Sequence, residues 1–78
     1  MKGDWQALPG RTIEAVVVQE SDLQPKAKVI LVFSDGTYFE IYSNERDLRG
    51  TNRVHEGDLW RVMQHYDRGD TTVYRDEG

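Results

Sequence analysis

Lys26-Ala-Lys-Val-Ile-Leu-Val-Phe-Ser-Asp-Gly-Thr-Tyr-Phe-Glu-Ile-Tyr-Ser43 is the stretch that decides the fold. Two runs rich in β-branched and aromatic residues flank an Asp-Gly pair at Asp35 and Gly36. Such a pair between strand-forming runs is a strong hairpin signal, because a two-residue type I′ turn needs positive φ at both central positions. A two-residue turn also sets a register. Phe33 then faces Tyr38, Val32 faces Phe39, Leu31 faces Glu40, Ile30 faces Ile41 and Val29 faces Tyr42.

Directly opposed residues share a face of the sheet, and successive residues alternate between faces. One face is therefore Ile30, Val32, Phe39 and Ile41, wholly apolar and suited to a core. The other is Val29, Leu31, Phe33, Tyr38, Glu40 and Tyr42. A face that met only water would be polar; this one is mostly aliphatic and aromatic, so the pattern predicts a covering layer or a partner.

Outward from the hairpin, Thr12 to Glu20 reads as a strand with Val16, Val17 and Val18 at its centre, apolar on both sides. Ser21 to Pro25 is a short polar connection that returns the chain antiparallel, giving a meander of strands 12–20, 27–34 and 37–43. Asn44 to Gly50 reads as one helical turn, with Asn44 as N-cap and Gly50 ending it. Asp58 to Arg68 is the one convincing helix. Asp58 caps it, while Leu59, Val62, Met63 and Tyr66 fall at i, i+3, i+4 and i+7 on one stripe, with Trp60 covering the stripe's edge. Thr71 to Tyr74 suits a short fourth edge strand, which a crossover through the helix would make parallel to its neighbour.

The whole, residues 1–78, is then a single small α+β domain: a three-stranded antiparallel meander with one helix packed on one face. Residues 1–11 form an irregular N-terminal arm whose Trp5 tacks it to the body, and residues 75–78 form a frayed tail. The size leaves a thin core, and the absence of cysteine removes disulfide staples and thiolate chemistry together. Such chains gain from self-association.

Composition narrows the function classes. Fourteen acidic against ten basic residues give a net charge of −4, against a general phosphate-backbone binder. No apolar core for a signal peptide and no membrane-length apolar run occur, so the expected location is cytoplasmic. The ligand-type residues His55, Glu56, Asp58 and His65 lack zinc spacing, since the two histidines lie ten apart rather than four. No nucleophile elbow or phosphate loop is present.

The reading is a non-catalytic protein–protein interaction domain without cofactor or metal. It pairs with itself as a homodimer, or with another protein, through Val29, Leu31, Phe33, Tyr38, Glu40 and Tyr42. Glu40 sits at the rim of that surface or pairs with an arginine across it. The alternative is a small nucleic-acid-binding module using the helix face that carries Arg61, His65 and Arg68; acids at Glu56, Asp58 and Asp67 balance that face and weigh against it.

Overall fold

The computed structural model describes residues 3–20, 27–44, 47–66 and 70–75. Its strands are β1 (Ile13–Glu20), β2 (Ala27–Phe33), β3 (Thr37–Asn44), β4 (Asp47–Gly50), β5 (His55–Glu56) and β6 (Asp70–Arg75), with one helix, α1 (Leu59–Tyr66). The architecture is mostly β: a six-stranded antiparallel sheet in the order β4-β3-β2-β1-β6, with β5 also paired to β3. This overturns the α+β expectation of a three-stranded meander. The three expected strands are the centre of a wider sheet: the β1 edge takes the strand expected at Thr71 to Tyr74, and the β3 edge takes partners that local patterns did not signal.

At one edge, Asp47–Gly50 is a strand paired with Ile41–Asn44, not a helical turn. The open edge of β3 offers a row of backbone partners, and satisfying them outweighs the weak local preference for a turn. At the other edge, β6 pairs antiparallel with β1 and not parallel to its neighbour. The crossover rule relates the two strands that a helix joins. Here those are β5 and β6, which do run the same way but lie at opposite sides of the sheet. The connection at 21–25, the helix end at Arg68 and Gly69, and the tail at 76–78 lie outside the described residues.

The hairpin register differs from the two-residue expectation by one position. Val32 pairs with Tyr38, Leu31 with Phe39, Ile30 with Glu40, Val29 with Ile41 and Lys28 with Tyr42. The turn has three residues, Ser34, Asp35 and Gly36. Gly36 sits at φ +82°, and its N–H donates to the Phe33 carbonyl at 3.3 Å. A turn followed by a left-handed glycine is the next commonest hairpin loop, and it adds one residue to the connection. Asp35 holds this form: its Oδ1 accepts from the backbone N–H and from the hydroxyl of Thr37. Arg11 adds a 2.9 Å ion pair to the other carboxylate oxygen. Thr37 foremost, and Arg11 with it, hold the Asp35 carboxyl below its ordinary value.

One side of the sheet carries the main core. Ala15, Val17, Ile30 and Val32 pack with Val62 of α1, and Tyr38, Leu59, Met63 and Val73 close around them. Burying one such side chain stabilises by about 1.5–3 kcal/mol before entropy. The Asp58 cap forms as its sequence position implies: Asp58 Oδ1 accepts from the Arg61 N–H at 3.0 Å, and its carbonyl from the Val62 N–H. Trp60 does not cover the stripe; it is 73% exposed.

Candidate functional site

The opposite side of the sheet is built from alternate residues of every long strand. Val16 and Val18 of β1 stand beside Leu31 and Val29 of β2, which stand beside Phe39 and Ile41 of β3. Tyr74 adjoins Val16 from β6, and Leu48 and Gly50 of β4 continue the same face past Ile41 and Ser43. No charged side chain interrupts the set from Val16 to Ile41.

The N-terminal arm covers one end of this face. Trp5 meets the Phe39 ring edge to face, with centroids 5.5 Å apart. The backbone of Gly50 makes room for both: a Cβ there would lie 2.5 Å from Phe39 Cζ and 3.3 Å from Trp5 Cζ2. Gly3 lies directly on the Gly50 backbone, and the Asp4 N–H donates to the Thr51 carbonyl at 2.8 Å. Further along, the Arg11 guanidinium lies 5.3 Å from the Phe33 ring centroid. Phe33 and Phe39 are buried as a result. The anchoring role expected of Trp5 is what the structure shows.

Beyond the arm the face stays open. Val16, Val18, Val29, Leu31 and Ile41 are only half-buried. Ile13, Leu48 and Tyr74, at 50%, 46% and 60% exposure, are the large apolar strand residues left most open, and all three belong to this face by their strand pairing. On the helix side no described strand residue is comparably exposed, and the one large apolar side chain left open there is Trp60 of α1.

Of the six residues expected to share a surface, the structure keeps Val29, Leu31 and Phe33 together and moves Tyr38, Glu40 and Tyr42 to the helix side. A one-residue slip in pairing sends every side chain of one strand to the other face. Tyr38 packs at the core margin and stacks on His55 with ring centroids 5.4 Å apart. Burial, and then the charge of Glu40, push its phenol above the ordinary value. Glu40 pairs with Lys28 of its own chain at 3.5 Å, not with an arginine across an interface. Tyr42 is half-buried opposite Arg49. Ile41, Ile13, Leu48 and Tyr74 were not expected on this surface; only the alternation of Tyr74 with the inward Val73 hinted at one of them.

Other candidate sites resolve differently. A cleft of about 580 Å³ is lined by Glu14, Asp58, Leu59, Trp60, Met63 and Arg75, among others. Among the described residues no group of three metal-ligating side chains comes together. Arg61 is exposed, whereas the side chains of His65 and Arg68 lie outside the described residues. No described helix is long and apolar enough to cross a membrane. No protein-family model matches the chain, and neither a curated protein nor a solved structure matches it.

Proposed function

We propose that this chain is a non-catalytic interaction domain that self-associates through the part of the sheet its arm leaves uncovered. The observation that carries the reading is the exposure of the strands' own apolar residues on one face: Ile13, Leu48 and Tyr74 all open onto the side whose floor is Val16, Val18, Val29, Leu31 and Ile41. Contiguous exposed apolar surface beyond a few hundred Å² is rare on a monomeric domain and marks an interface.

A second copy is the occupant that suits this surface best. An uncharged strip meets its own image without bringing like charges together, and a two-fold axis lets the same patch serve both partners. A foreign partner would be recognised through complementary charge, and this strip carries none. A standard interface buries roughly 1,200–2,000 Å², and a strip shared with the chain's own arm is expected to associate weakly and in a concentration-dependent way.

Light scattering across a concentration series tests this. The wild type is expected to grow from monomer towards dimer, while Leu31→Arg stays monomeric with an unchanged circular dichroism spectrum. Tyr74→Arg, at an exposed position less able to disturb folding, gives the same result if Leu31→Arg is damaged. A wild type that remains monomeric at every concentration sinks the proposal.

A further inference from the structure

The chain leaves β3 after Gly50 and rejoins it at His55, pairing with the same strand edge twice. Residues 51–54 link the two pairings, with the Thr51 N–H still bonded to β3. They enclose a hollow of about 310 Å³ lined by Tyr42, Gly50, Thr51, Asn52, Arg53 and His55. That volume lies at the small end of ligand pockets, about 300–1,000 Å³.

Its chemistry is one-sided. The lining side chains offer a guanidinium, an imidazole, a carboxamide and two hydroxyls, and none of them is a carboxylate. In a chain with four more acids than bases this is an unusual concentration of donors. Arg53 has no ion-pair partner among the described residues. Glu40, whose carbonyl takes the Thr51 N–H, has its carboxylate paired with Lys28. Glu56 borders the adjoining hollow of about 380 Å³, which shares Arg53 and His55. The Thr51 hydroxyl oxygen is buried and makes no hydrogen bond, so its bonding capacity is unspent.

Two of the walls, Thr51 and His55, are also held in place. The Thr51 N–H donates to the Glu40 carbonyl at 3.1 Å, and the Thr51 carbonyl accepts from Asp4. His55 is fixed by pairing with Tyr38 and by stacking on its ring. Donors positioned before a ligand arrives lose little entropy on binding it.

We propose that this hollow binds a small oxyanion, a phosphate group, with Arg53 supplying charge and fork geometry and Thr51, Asn52 and His55 supplying further donors. The site lies at the outer edge of β3 and does not depend on self-association. A phosphate could come as the free ion or on a nucleotide, and the chemistry of the hollow is the same for both.

The test is a titration of the isotope-labelled full chain with inorganic phosphate, followed by amide chemical shifts, against sodium chloride at equal ionic strength. Shifts confined to residues 50–55 are expected, and Arg53→Gln should weaken the affinity roughly tenfold, the worth of one charge-assisted hydrogen bond. Thr51→Val gives a readout that a purely structural hydroxyl would not: weaker phosphate binding with stability kept or raised. Adenosine monophosphate run beside adenosine separates the sources. Tighter binding of the monophosphate than of free phosphate assigns a nucleotide, and equal binding assigns the free ion. Shifts no larger than those in chloride, shifts centred elsewhere, or an Arg53→Gln variant that binds as well as wild type would overturn the proposal.

Discussion

Gly50→Ala is expected to be among the most damaging single-methyl additions in this chain. The added Cβ would stand 2.5 Å from Phe39 Cζ and 2.7 Å from Phe39 Cε2, where real Cβ contacts essentially never occur. Ordinary carbon contacts lie near 3.5–4.0 Å, so the ring must retreat by about 1 Å or more. It has nowhere to go: Phe39 is fully buried, Trp5 seals it from above, and Gly3 rests on the Gly50 backbone itself. The strain is relieved only if β4 shifts or the arm lifts. Overpacking of this kind costs about 1–3 kcal/mol, and the rigid aromatic neighbour places this case in the upper half. For a domain this size that is a fall in Tm of roughly 10–20 °C. Thermal unfolding by circular dichroism measures it. Tryptophan emission in a Trp60→Phe background reports in addition whether Trp5 becomes wetter. A variant with unchanged Tm and unchanged Trp5 emission would show that the arm is not seated on Gly50 and Phe39 as described.

Gly36→Ala meets no neighbour within 4 Å, so it isolates the backbone term at φ +82° and should cost about 1–2 kcal/mol in urea unfolding. Phe39→Ala should lose about 3–5 kcal/mol in urea unfolding, whereas Arg61→Ala, exposed on α1, should leave the unfolding midpoint nearly unmoved; a strongly destabilising Arg61→Ala would mean the wrong helix face points inward. Asp35 has its folded pKa depressed below 3.8, so its stabilisation is present above that value and is lost as the pH falls through the lower folded value. Asp35→Asn should therefore be less stable than wild type at neutral pH, and the gap should close under acid; a gap that stays constant to low pH would rule out that linkage.

The local signals in this sequence were good where local physics rules. Val16 to Val18, the run from Val29 to Phe33 and the Asp58 cap all lie in the elements their patterns imply, and Gly36 takes positive φ. What failed was the count of residues in one turn. Asp-Gly suits both a two-residue turn and a three-residue turn with glycine last. The choice falls to Asp35 gripping Thr37, reinforced by Arg11 from 24 residues away. That one position moved Tyr38, Glu40 and Tyr42 off the open face and brought Phe39 and Ile41 onto it. The edge strands β4 and β5, and the antiparallel placement of β6, are tertiary in origin: polar letters such as Asp47 to Gly50 become strand because a neighbouring edge needs partners. The arm's seat on Gly50 was equally hidden, since it joins residues at opposite ends of the first fifty.

The claim that two copies meet through the open sheet face is tested most directly by a filtered NOE experiment on a mixture of carbon-13-labelled and unlabelled protein. At concentrations where scattering shows association, methyl groups of Val16, Val29 and Leu31 in one copy should contact the same set, and the Tyr74 ring, in the other. Intermolecular contacts confined to α1 or to the edge at β4 and β5 would contradict the proposed interface, and so would none at all.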